Sequence, residues 1–234
     1  MSQGLIQMLK RCNEDSAVRA ILLTGAGGAF CAGGDVKNMG ERRSPAVTPD
    51  ERMKEMKVRH RGVGGQIVGS PKPTIAAIAG PAVGAGLAIA LACDVRIAGQ
   101  SAFLSGGYSK IGLSGDYGIA WLLTRTIGTS RAREMLFTSD RITAPRAEQL
   151  GLVNRVVADA ELATAAKALA TQIADGPADA IKLIKENLNE ANLIDYPTAI
   201  DHEAERLVRQ SQTENHKEAV RAFVEKRKPA FNRA

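Results

Sequence analysis

Aromatic side chains are scarce in this sequence: Phe, Trp and Tyr make up only 4% of its 234 residues. Aliphatic side chains and alanine must therefore fill the core. The scarcity also argues against single-stranded nucleic acid, which is held by basic clusters interleaved with stacking aromatics. The formal net charge of +6 is scattered along the chain, apart from Lys226-Arg227-Lys228. A modest positive field of this kind suits an anionic small molecule. Cysteine is rare as well. Cys12, Cys31 and Cys93 lie in apolar or glycine-rich surroundings without paired spacing. They read as small buried hydrophobes in a reducing compartment, and no metal site is expected from them. No apolar run approaches the ~20 residues that cross a bilayer. Met1-Ser-Gln-Gly leads into an amphipathic stretch, not an apolar leader. The expected location is cytoplasmic.

What is present has an α/β pattern. Leu5, Leu9 and Cys12 fall at helical spacing, so the chain opens with a helix. Val18 to Thr24 is a short apolar run closed by glycine, the mark of a buried strand. Residues 35–50 are polar and contain Pro45 and Pro49, which predicts a mobile segment. A helix follows from an Asp50 N-cap toward Val68. Thr74–Ala79 and Asp94–Ala98 predict two further strands. Between them Gly84–Ala92 is apolar on every side and predicts a buried helix. Strand, glycine turn, buried helix and strand again predict parallel pairing. From Tyr117 onward the pattern is helical except at 153–157. Residues 159–174, 178–192 and 198–227 make three long helices, the last interrupted near Ser211–Asn215. The division expected is an α/β core over 1–158 and a helical region over 159–234.

Two glycine loops carry the chemical signal. Gly25 to Gly34 holds five glycines in ten positions and follows a strand. Gly80 to Gly86 also follows a strand and opens a helix. Glycine lets a ligand approach the main chain, and a helix N-terminus adds unpaired N–H donors with partial positive charge. Two such loops at neighbouring strand ends can aim backbone donors at one point. For a carbonyl gaining charge in a transition state, that arrangement is an oxyanion hole. Phosphate-binding alternatives fail. No Gly-Lys-Ser/Thr follows the glycines, and Phe30 and Ile89 stand where a dinucleotide fingerprint needs its third glycine.

Together the loops resemble the enoyl-CoA hydratase/isomerase (crotonase) family. The first reads Ala29-Phe-Cys-Ala-Gly-Gly-Asp35-Val-Lys37, and the second reads Gly80-Pro-Ala-Val-Gly-Ala-Gly86, about fifty residues on. The likeness continues through Gly112-Leu-Ser-Gly-Asp-Tyr-Gly118, Ala147-Glu-Gln-Leu-Gly-Leu-Val153 and Ala222-Phe-Val-Glu-Lys226. It implies the crotonase-like α/β fold, a spiral of ββα units with a C-terminal helical trimerisation region. It also implies a homotrimer or hexamer, and a coenzyme A thioester as substrate with no separate cofactor. The family opens with a β-hairpin that has no counterpart here, since this sequence begins within the helix that follows it.

The resemblance also implies roles for residues. The backbone amides of Gly34 and Ala85 match the oxyanion donors. Ala32, Asp35, Val36 and Lys37 fall on the stretch that holds coenzyme A. Phe223 and Lys226 match a C-terminal segment that completes this site, in some members that of a neighbouring subunit. Lys226 reads equally well as a solvated surface lysine. The two catalytic glutamates of a hydratase match Ala88 and Tyr108, and neither is acidic. Losing two proton-transfer groups costs about 10²–10⁴-fold each, so hydration is expected to be weak. Asp116 is the remaining acid, at a position where dienoyl-CoA isomerases and haloaryl-CoA dehalogenases carry a functional aspartate. A lone Asp in a glycine-rich turn reads equally well as a turn residue. Isomerase or hydrolase/dehalogenase-like chemistry through Asp116 and a non-catalytic acyl-CoA binder both remain open. Tyr108 could donate a hydrogen bond as a phenol. The resemblance makes His60 a second candidate, since its helix passes near the pocket in the family, although a lone histidine among Lys57, Arg59 and Arg61 is more often a surface residue.

Overall fold

A computed structural model describes residues 1–41, 48–191 and 193–231. Helix α1 spans Ser2–Glu14 and buries Leu9, and strand β1 follows at Ile21–Thr24. The strand is shorter than its apolar run. Val18 instead closes a turn, its N–H bonding to the Asp15 carbonyl. Helix α2 is Val36–Glu41, within the stretch expected to be irregular, while residues 42–47 of that stretch lie outside the described residues. Helix α3 is Pro49–His60. Its cap is Thr48, not Asp50. Thr48 accepts from the Glu51 N–H while the Glu51 carboxylate accepts from Thr48, and Pro49 takes the first helical position, where its missing N–H costs nothing.

The expected run to Val68 is not one regular helix. Arg61–Gly65 is a π-helical segment, and α4 is only Gln66–Val68. Strand β2 follows at Thr74–Ile78, then β3 at Ala82–Val83, helix α5 at Ala85–Ala92, β4 at Val95–Gly99 and β5 at Phe103–Ser105. Helices α6 (Ile119–Ile127) and α7 (Thr129–Thr138) precede β6 at Ile142–Thr143, helix α8 at Ala144–Leu150 and β7 at Arg155–Val157. Strand β6 breaks the helical pattern expected from Tyr117 onward. Four C-terminal helices close the chain: α9 Leu162–Ala174, α10 Ala178–Glu190, α11 Tyr196–Gln210 and α12 Glu214–Val224. The interruption near Ser211 is therefore real and separates α11 from α12.

Among the described residues one sheet is fully parallel, in the order β1–β2–β4–β7. Ile21 pairs with Thr74, Ile75 with Val95, and Ile97 with Arg155. The second sheet is β3–β5–β6, with β5 and β6 antiparallel. Every residue of β2 is buried, as are all of α5 except Ala85. Leu87 is fully buried, and burying a side chain of its size stabilises the fold by about 1.5–3 kcal/mol. Helix α9 packs back on the sheet, joining Leu162 and Ala166 to Ala77 and Ile97. The glycine loops leave from the carboxyl ends of β1 and β2, where open parallel sheets hold ligands. Among the described residues no helix is long and apolar enough to cross a membrane.

Candidate active site

The two loops are laced together by backbone bonds. The N–H groups of Phe30 and Cys31 both donate to the Pro81 carbonyl, at 3.1 and 3.0 Å, and Val83 N–H donates to the Cys31 carbonyl at 3.0 Å. Cys31 also forms a parallel bridge with Ala82. This contact demands Gly86, because a β-carbon there would lie 2.7 Å from that of Cys31. Gly84 has φ 55 and ψ −120, a conformation that disfavours a side chain. Its N–H is tied to the Ser105 carbonyl at 3.1 Å, which leaves Ala85 as the first residue of α5. Among the described residues neither the Gly34 nor the Ala85 amide has a hydrogen-bond partner. Both line one cavity of about 350 Å³, with Ala32 and Val36 beside them. Free amides at a helix start and in an adjoining loop can stabilise an oxyanion.

Tyr108 and Asp116 line the same cavity. Tyr108 is only 5% exposed, and its hydroxyl donates to the Asp116 Oδ1 at 2.5 Å. Burial raises the phenol pKa well above the ordinary tyrosine range, and the Asp116 carboxylate raises it further. The phenol therefore stays protonated and acts as a fixed donor. Asp116 sits in a tight turn between Gly115 at φ 133 and Tyr117 at φ 48, just before α6. Its carbonyl accepts from Ile119 N–H, so the turn also starts that helix.

Other expected residues fall elsewhere. Ala88 is fully buried within α5 and does not line the cavity. Neither do Asp35 and Lys37, which are exposed beside it in sequence. Phe223 is 85% exposed and Lys226 is exposed with φ 54, both off the cavity. His60 is not the surface residue expected. It is half-buried, its Nε2 is sealed from solvent, and its ring lies 4.2 Å from that of Tyr117. Sequence reasoning also missed Met39, Ser139 and Arg141 in the cavity wall. Ser139 takes φ 50, unusual for a non-glycine residue, but a serine after a helix carries no sequence signal for this.

A family model described as enoyl-CoA hydratase/isomerase matches residues 1–234. The chain is 36% identical to the 1,2-epoxyphenylacetyl-CoA isomerase of Escherichia coli, over 99% of this chain and 87% of that protein. It is also 36% identical to the short-chain-enoyl-CoA hydratase of Clostridium acetobutylicum, over 92% of this chain and 80% of that protein. The fold is similar to the crystal structure of an enoyl-CoA hydratase from Bacillus anthracis. There the TM-score is 0.91 at 32% identity, covering 100% of this chain and 88% of that one.

Proposed function

We propose that this chain, which belongs to the enoyl-CoA hydratase/isomerase family, binds an acyl-CoA thioester and shifts its double bond with Asp116 as the proton carrier. One observation carries the reading: the carboxylate fixed by Tyr108 and the free amides of Gly34 and Ala85 share one cavity. The thioester oxygen accepts hydrogen bonds from these two amides. Asp116 removes a proton from the acyl carbon chain, and the C–H electron pair moves into an enolate whose negative charge rests on that oxygen. The carboxylic acid so formed returns the proton to the other end of the conjugated enolate. Atoms balance, and no cofactor is consumed. Tyr108 holds the carboxylate in place without giving up its proton.

Hydration needs a second group to activate water. Ala88 is an alanine sealed in α5, so hydration is weak. The test compares double-bond isomerisation of a 3-enoyl-CoA with hydration of crotonyl-CoA, in the unaltered protein and in Asp116→Ala. Isomerisation is expected to fall about 10²–10⁴-fold in the variant. Brisk hydration that survives Asp116→Ala would overturn the reading. Saturable binding without turnover on a broad thioester panel would instead favour an acyl-CoA binder, in keeping with the absent carboxylate at Ala88.

The C-terminal helices expose Leu188, Leu207, Phe223 and Val224, each at least two-thirds accessible. This supports assembly into a homotrimer or hexamer through that region, with Phe223 and Lys226 reaching a neighbour's coenzyme A site. Sedimentation velocity distinguishes these assemblies from a monomer.

A further inference from the structure

Three irregularities converge beside Asp116. The first is the π-helical segment Arg61–Gly65, which begins directly after His60. Such segments break helical spacing and recur at functional sites. The second is Tyr117, held at φ 48, a conformation that costs energy for a bulky side chain. The third is His60 Nε2, which is sealed from solvent and has no hydrogen-bond partner among the described residues. A buried polar atom left in that state calls for an explanation. These features are in contact. The His60 ring lies 4.2 Å from the Tyr117 ring, and the π segment meets Tyr117 at Gly64, where a β-carbon would lie 3.4 Å from the Tyr117 carbonyl oxygen.

We propose that His60 is a positioning residue for Asp116: its neutral imidazole, packed at a tilt against Tyr117, holds the Gly115–Gly118 turn, and its protonation switches the site off. The inference rests on Asp116 being the proton carrier. Burial lowers the His60 pKa, the Asp116 carboxylate raises it, and Arg59 lowers it. Lys57 on its own helix and Arg61 at the start of the π segment are exposed, and α1 presents the apolar Ile6 to that segment at Gly62. The net direction is downward, so the imidazole is neutral near pH 7. Acidification places a cation beside Asp116. An imidazolium there stabilises the carboxylate anion and weakens it as a proton acceptor. It must also find a hydrogen-bond acceptor for an Nε2–H that has none among the described residues, which strains the ring contact with Tyr117.

The experiment pairs His60→Phe with His60→Ala. Phenylalanine keeps a ring on Tyr117 but cannot titrate. Alanine removes both properties. In the unaltered protein, the isomerisation rate is expected to fall on the acid side as His60 gains its proton. In His60→Phe that limb moves to lower pH. In His60→Ala the rate drops at every pH by up to about 100-fold, as loose positioning of a reacting group does. A His60→Phe profile that superimposes on the unaltered one overturns the proposal. A second readout needs no turnover. The His60 ring is titrated by nuclear magnetic resonance in the unaltered protein and in Asp116→Asn. Losing the carboxylate is expected to lower the His60 pKa further, and an unchanged titration overturns the proposal. Full activity in Asp116→Asn would instead refute the proton-carrier reading, a separate outcome.

Discussion

The Tyr108 hydroxyl and the Asp116 carboxylate, eight positions apart in the sequence, are joined at 2.5 Å. Burial keeps the phenol protonated, so the bond always runs from tyrosine to aspartate. The pair can then fix a carboxylate without competing for its proton. Replacing the hydroxyl by hydrogen tests this. Tyr108→Phe fills the same buried space but leaves Asp116 without its donor. A hydrogen bond to a charged group contributes about 1.5–3 kcal/mol, so kcat is expected to fall about tenfold or more, with KM little changed. Steady-state isomerisation kinetics measure both, and an unchanged kcat would remove Tyr108 from the site.

The glycines of the two loops differ in what a methyl group would meet. At Gly86 it would press on Cys31, with the carbonyl carbon only 2.8 Å away, and backbone cannot yield as a side chain can. Gly86→Ala is expected to lose about 1–3 kcal/mol of stability and to pull the loops apart. At Gly34 the methyl would meet only the terminal carbon of Met39, at 2.5 Å. That end is flexible, so Gly34→Ala should stay within about 1 kcal/mol of the unaltered protein. Urea unfolding of both variants gives the order, and a reversed order would refute the lacing of the loops.

This contrast shows what the residues reveal without a structure. The glycine loops were legible because a reversal at Gly84 and a close approach at Gly86 can be met by few residues, and the sequence supplies glycine at both. The parallel core was legible because β2 and α5 are apolar on every side. Strands β3, β5 and β6 were not, since two or three residues cannot display alternation. The Thr48 cap was hidden by Asp50, an equally good capping residue, until Pro49 fixed the start of the helix. His60 looked like a surface residue because its neighbours are charged. The π segment that follows it packs against Ile6 at Gly62 and against Tyr117 at Gly64, and spacing does not encode that. The Tyr108–Asp116 bond was equally invisible, since each residue was weighed alone.

Cys93 is 2% exposed, and burial pushes its thiol pKa up to about 12. At pH 8 only about one part in 10⁴ would be thiolate, the form that reacts. Cys12 and Cys31 are only partly buried. Iodoacetamide on the folded protein is therefore expected to label Cys12 and Cys31 and spare Cys93 until denaturant is added. Peptide mass spectrometry reads the order. Early labelling of Cys93 would mean that α5 opens far more readily than its packing allows.

Lys185 ties the C-terminal helices to the core. Its Nζ reaches Asp94 Oδ2 at 2.7 Å and the Lys72 carbonyl at 3.2 Å, and its side chain is 8% exposed. Asp94 is 29% exposed and also accepts from Thr74 N–H at 2.7 Å, so losing the lysine leaves it partly solvated and partly bonded. The penalty should therefore fall below the 3–5 kcal/mol typical of a broken buried pair, at about 2 kcal/mol for Lys185→Met. Asp94→Asn alone leaves an ammonium with only carbonyl partners and should cost a similar amount. The double variant removes both charges, so its loss should be smaller than the sum by about 1–2 kcal/mol. Urea unfolding of the four proteins closes this cycle. Strict additivity would show that the Lys185–Asp94 pair contributes nothing beyond the separate hydrogen bonds of its two members.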